Sequence, residues 1–141
     1  MDVALIQKFV IDNWPLVAVA FVSGAMLVWP LVASSRGGDK LSTLQATQMI
    51  NQKDAVVLDI RDQADFARGH IVNAKSFPDK VIEERRKDIE KLKGAPIIIS
   101  CETGARAGAT ADKLRGWGLV EVFVLRGGIN AWRDAGLPVT K

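Results

Sequence analysis

The reactive chemistry in this chain gathers around its only cysteine. Cys101 closes an apolar run, Ile97-Ile98-Ile99-Ser100, and is followed by Glu102-Thr103-Gly104-Ala105-Arg106 and then by an alanine-rich segment. That order reads as strand, loop and helix. A strand buried in a parallel sheet is a continuous apolar run, and ligands of open α/β sheets bind beyond the carboxyl ends of strands, where Cys101 falls. With a helix starting near Gly104 to Arg106, the unpaired N–H groups of its first turn point back at the sulfur and hold an anion there. Arg106 adds a cation close in sequence. The thiolate is the nucleophilic form of cysteine, so Cys101 is the candidate catalyst. The competing expectation is a buried structural cysteine, since free cysteines are among the most buried side chains.

Other titratable groups carry less. Asp59 and Arg61 follow an apolar run, with Asp62 and Asp65 in reach of Arg61, and such groups more often form ion pairs that hold loops than catalytic sets. His70 is the sole histidine, without a second histidine or a spaced acidic set, so no metal site is expected. The net charge is +3, but Glu83-Glu84-Arg85-Arg86-Lys87-Asp88 mixes signs and lacks interleaved aromatics. It is a solvated face rather than a nucleic-acid surface.

The elements that must position Cys101 follow from periodicity. Ser42 or Thr43 can cap a helix with Leu44, Met49 and Ile50 on a common face. Apolar runs at 55–60, 97–100 and 121–125 predict buried strands, with a shorter one at 74–77. A short helix is expected after Arg61, and a charged helix over 79–92 with Val81, Ile82, Ile89 and Leu92 inward. An alanine-rich helix follows over about 105–115, carrying Leu114 inward, and Gly116-Trp117-Gly118 breaks it. Gly127-Gly128 turns the chain into a closing helix anchored by Trp132, and Trp117 and Trp132 are expected in the core. Strands alternating with helices imply an α/β fold, a parallel sheet flanked by helices with right-handed crossovers.

The amino-terminal third is different. From Asn13 to Ser35 there is no charge. About 23 residues of helix rise roughly 34 Å, enough to cross a hydrocarbon core about 30 Å thick. Trp14 and Trp29 lie where interfacial aromatics sit, and Pro15 suits a helix start. A cleaved secretory signal is the alternative, with Val32-Ala33-Ser34 offering small residues, but Asp2 and Asp12 stand beside Lys8 and the apolar core is too long. The expected organisation is a segment 1–35 with one transmembrane helix at about 13–35, a linker 36–40, and a domain 41–141. Lys8 precedes the span while Arg36 and Lys40 follow it, which places the domain in the cytoplasm. A lone free thiol suits that reducing compartment. Ala20 and Gly24 have small-residue spacing, a weak signal for a membrane-protein partner.

Several separated motifs together resemble the rhodanese-like sulfurtransferase family. Cys101 to Arg106 is similar to its six-residue active-site loop. Upstream, Leu58-Asp59-Ile60-Arg61, Asp65-Phe66, Gly69-His70-Ile71 and Ala74 resemble its early signature; downstream, Leu125-Arg126-Gly127-Gly128-Ile129-Asn130-Ala131-Trp132 resembles the late one. The resemblance spans about a hundred residues. It implies a rhodanese-like domain in which Cys101 takes a sulfane sulfur from thiosulfate or a persulfide and passes it to a thiophilic acceptor. Glu102, Thr103, Gly104, Ala105 and Arg106 would bind the substrate, without metal or organic cofactor, and His70 matches a structural position. Cysteine phosphatases have a similar loop with the arginine one residue further on, so sulfur transfer fits better than dephosphorylation or arsenate reduction. Two departures bear on the donor. Ala107 stands where many single-domain members carry a hydroxyl, and the Glu102 carboxylate repels a dianion such as thiosulfate. The alternative of another class is a membrane-tethered interaction or redox-sensing module that uses the fold without turnover.

Overall fold

Alternation along the inner strands builds both faces of one sheet. Strand β2 (Val56–Asp59), strand β5 (Ile97–Ser100) and strand β6 (Val122–Leu125) are parallel neighbours, with Leu58 opposite Ile99 and Ile99 opposite Val124. Successive strand side chains point to opposite faces. Leu58, Ile97, Ile99, Val122 and Val124 therefore enter one core cluster, and Val57, Ile98 and Leu125 the other. Burial on both faces explains the unbroken apolar runs. The sheet is completed by β1 (Asp39–Leu41) and β4 (Lys75–Ser76), all parallel, in the order β1-β6-β5-β2-β4.

The computed structural model describes residues 2–34 and 39–141. Two units divide the chain, Met1–Arg36 and Gly37–Lys141. Of the expected linker, 36–38 lie outside the described residues, whereas Asp39 and Lys40 form β1 with Leu41 and pair with Phe123 and Val124.

In the second unit, α3 (Thr43–Lys53) is closed by a capping box in which Ser42 and Gln45 exchange side-chain and backbone bonds. Its buried face differs from expectation. Ala46 is buried and Met49 and Ile50 pack beside it, while Leu44 is 67% exposed. The inward spacing is 46, 49, 50, and Leu44 sits half a turn away from it. Helix α6 (Ala107–Gly116) starts two residues later than expected, leaving Ala105 and Arg106 in the loop, and buries Ala107, Ala111 and Leu114 against the first cluster. Helix α7 (Gly128–Asp134) buries Ile129 and Trp132 on the second. Trp132 is core, as expected, with Nε1 donating to the carbonyl of Pro138 at 3.0 Å; Trp117 is half-buried against the first cluster.

The charged helix expected over 79–92 is mostly turn, and only α5 (Arg86–Glu90) is helical. Ile82 and Ile89 are buried and the six charged residues between them are exposed, both as expected. Arg85, though exposed, donates to the Ser76 carbonyl at 2.9 Å and lies over the Phe77 ring. Backbone bonds there mix three- and four-residue spacings, Arg86 to Glu83 and Arg85 to Val81. Short helix α4 (Gln63–Arg68) follows β2 as expected. A small antiparallel pair, β3 (His70–Ile71) with β7 (Val139–Thr140), was not anticipated; two residues a strand are too few to show a period.

The first unit holds α1 (Val3–Asp12), which was not anticipated, and α2 (Trp14–Ser34). Asn13 ends the first, its side chain donating to the Phe9 carbonyl at 2.9 Å. Among the described residues no single helix is long and apolar enough to cross a membrane; Val3–Asp12 and Trp14–Trp29 are so together, but with a bend of 89°. The one straight span expected from the sequence is thus replaced by a bent pair of helices.

Candidate active site

Strand register brings the chemistry together. Asp59 lies opposite Ser100, so the residues leaving β2 stand beside those leaving β5, and the Ile60 N–H donates to the Ser100 carbonyl at 2.9 Å. Cys101 follows directly, 1% exposed, as part of the first core cluster. Its sulfur accepts the Gly104 N–H at 2.9 Å. Glu102, Thr103, Ala105 and Arg106 are exposed around it and Gly104 is half-buried. The sulfur thus lies buried beneath an exposed loop and receives one backbone N–H.

The loop is clamped from the far side. Ile129 N–H donates to the Cys101 carbonyl at 2.9 Å and Asn130 N–H to the Glu102 carbonyl at 3.3 Å, so the first turn of α7 holds both residues. Gly128, with φ +59°, lets the two backbones meet: a Cβ there would stand 2.2 Å from the Cys101 carbonyl oxygen. The Gly127-Gly128 pair is legible in sequence as a turn. Its seat on the Cys101 loop is not, because nothing local links 128 to 101.

Below the loop, Arg61 and Asp59 form a buried pair. Nε donates to Oδ1 at 3.0 Å and Nη2 to Oδ2 at 2.7 Å, and Nη2 also donates to the Gly69 carbonyl at 2.7 Å. Nη1 lies 3.6 Å from Oε2 of Glu102, linking the pair to the loop. Burial pulls the Arg61 pKa down, but the Asp59 hydrogen bond and the charges of Asp59, Glu102 and Asp65 outweigh it, and the net shift is upward. Asp59 and Arg61 thus form an ion pair, as expected, but with each other: Asp62 pairs with Lys80 and Asp65 with Arg68. His70 packs as a structural residue, stacked on Phe66 with Nδ1 2.9 Å from the Phe66 carbonyl. Among the described residues no group of histidine, cysteine or acidic side chains could hold a metal.

Arg106, at the end of the loop, lies 3.3 Å from Oδ2 of Asp79. Asp79 was not singled out from the sequence. It reaches the loop because its N–H bonds to the Ile60 carbonyl as the chain leaves β4. A groove of about 570 Å³ opens here between Asp79, Lys80, Arg106 and Lys113 over Ala105 and Ala109. A smaller one, about 240 Å³, lies on the other side of the loop, with Thr103, Gly104, Lys40 and Arg126 in its wall.

The family model for the rhodanese-like domain matches residues 42–135. The chain belongs to the rhodanese-like family. This rhodanese-like chain is 31% identical to the uncharacterized protein YibN of Escherichia coli over 96% of each chain. It is 30% identical to the thiosulfate sulfurtransferase GlpE of Coxiella burnetii over 67% of its own length and 86% of that protein. Among solved structures, a protein of unknown function and possible tyrosine phosphatase from Rhodopseudomonas palustris superposes with a TM-score of 0.69 at 28% identity, over 78% of this chain and 90% of that one. The α/β fold with a parallel sheet flanked by helices is the one expected from the sequence.

Proposed function

We propose that this chain is a sulfurtransferase that carries a sulfane sulfur on Cys101. The observation that carries the reading is the Gly104 N–H donated to the Cys101 sulfur at 2.9 Å within a clamped loop. The Cys101 thiolate attacks the outer sulfur of the donor, forming one S–S bond while the donor's own S–S bond breaks. Thiosulfate leaves as sulfite with the electron pair, or an organic persulfide leaves as thiolate. The enzyme persulfide then gives its outer sulfur to a thiophilic acceptor and Cys101 returns to the thiolate, a two-step covalent cycle. The Gly104 N–H would stabilise the sulfur in both states, and Glu102, Thr103, Ala105 and Arg106 are proposed to bind the donor. Similarity to a thiosulfate sulfurtransferase supports the reaction class. Phosphoryl transfer is less well served, because the loop from Cys101 to Arg106 is one residue shorter than that of cysteine phosphatases.

One observation favours an interaction or redox-sensing module instead: the sulfur-bearing residue is 1% exposed. Intact-mass spectrometry of the full-length chain, before and after thiosulfate or an organic persulfide and then cyanide, separates the two. A gain of about 32 Da that cyanide removes and Cys101→Ser never shows is the expected result for a covalent carrier. No gain with any donor favours the module.

The amino-terminal unit, the bent pair α1 and α2, is proposed as a membrane anchor, with the rhodanese-like domain in the cytoplasm. Val19, Phe21, Val22, Met26, Leu27 and Trp29 are all exposed on this helix, an apolar surface that water does not favour. A membrane-protein partner for the anchor fits the same exposure.

A further inference from the structure

Two guanidinium groups at the Cys101 loop, those of Arg61 and Arg106, already face carboxylates. Arg61 is held by Asp59 and faces Glu102, and Arg106 faces Asp79. The second pairing is built into the fold. Asp79 is two residues beyond Phe77, whose N–H donates to the Asp59 carbonyl at 2.9 Å, and its own N–H donates to the Ile60 carbonyl at 3.2 Å. Two backbone bonds to the end of β2 therefore fix where its carboxylate stands. Oδ1 is buried without a hydrogen-bond partner, and Oδ2 is 3.3 Å from Nη1 of Arg106. A carboxylate with one oxygen buried and unpartnered depends on the cation at the other.

We propose that Asp79 is a specificity-determining residue for the sulfur donor: it occupies Arg106, so that a small dianion must compete with a fixed carboxylate for the cation at the end of the loop. The proposal rests on the sulfurtransferase reading and names the donor that reading leaves open. Thiosulfate offers only its charge and must displace Asp79 to use Arg106. An organic persulfide needs no such exchange, and the groove of about 570 Å³ beside the pair has room for its organic body. The pair is half-exposed on the Arg106 side, and pairs of that kind are worth at most about 1 kcal/mol, about fivefold in affinity. Asp79 thus tunes donor preference rather than closing the site to anions.

Thiosulfate binding isolates this effect from turnover. Calorimetric titration of thiosulfate into the full-length Cys101→Ser chain is compared with the same chain carrying Asp79→Asn, at low salt. The expected result is a Kd lowered about two- to fivefold, shrinking at high salt and absent when Arg106→Gln is also present. Asp79→Ala repeats the loss of charge without an amide that needs partners of its own. In the chain with Cys101 intact, Asp79→Asn is expected to raise kcat/KM for thiosulfate relative to kcat/KM for an organic persulfide, and a ratio that does not move counts against the proposal. An unchanged Kd in both Asp79 variants, or equal tightening without Arg106, overturns the proposal even if Cys101 takes up sulfur. Failure of Cys101 to take up sulfur from any donor, read by mass, overturns the sulfurtransferase reading and this proposal with it.

Discussion

Glu102 shows how little of a residue's electrical surroundings can be read from its neighbours in sequence. Beside Cys101 it is a repelling carboxylate; in the fold it faces Arg61, 3.6 Å away. That cation is already bound on two sides by Asp59, so the three groups together keep one negative charge. Repulsion of a dianionic donor is therefore reduced and not abolished. Glu102→Gln is expected to lower the KM for thiosulfate about two- to fivefold, an effect that fades with salt. Steady-state kinetics at low and high ionic strength check it, and a KM unmoved at low salt removes Glu102 from donor selection. Its reach is separate from that of Asp79, which answers the other guanidinium. Asp79 itself could not be found from sequence, since its relevance comes from the chain returning to the end of β2 after β4.

Among the elements, those with a long regular signal were legible and those made by tertiary contact were not. The three apolar runs became β2, β5 and β6 to within a residue or two, because burial on both faces leaves no room for polar side chains. The capping box at Ser42 was readable as a cap because its chemistry is local. The stretch over 79–92 misled because its apolar residues stand at helical spacing while Arg85 is drawn off to Ser76 and Phe77. Likewise Gly128 was visible as a turn residue, but its partner is the carbonyl of Cys101. That contact gives a prediction about the α7 clamp. In Gly128→Ala the new Cβ would stand 2.2 Å from the Cys101 carbonyl oxygen and 2.7 Å from that of Glu102, backbone atoms that can yield only by moving the loop. A loss of about 2–4 kcal/mol is expected, with sulfur uptake slowed as well. Gly116→Ala, where nothing lies within 4 Å, is the control, expected to change stability by less than about 1 kcal/mol. Urea denaturation of both variants decides it, and equal stabilities would mean that the clamp carries no strain.

At the scale of the whole molecule, the rhodanese-like domain buries its apolar side chains on two faces of a sheet while the amino-terminal unit buries none on α1. On α1, Leu5, Phe9, Ile6 and Val10 fall along one side by helical spacing, and Gln7, Lys8 and Asp12 along the other, with Ile11 among them. Such a helix suits the plane of a membrane interface. Helix α2 follows after a bend of 89°, and its large apolar side chains from Trp14 to Trp29 are exposed. In the proposed anchor, α1 would lie in the interface and α2 would enter the bilayer, and the charge bias of Lys8 before and Arg36 and Lys40 after would direct the carboxyl-terminal side inward. Fractionation is therefore expected to find the full-length chain in the membrane, resistant to alkaline carbonate, and released when residues 2–34 are removed. A reporter enzyme that works only in the cytoplasm, fused after Lys141, is expected to be active. Activity instead from a reporter that works only outside the cytoplasm would reverse the orientation. It would also move the single thiol to an oxidising compartment, where keeping Cys101 a free thiol between turnovers would need a source of reductant.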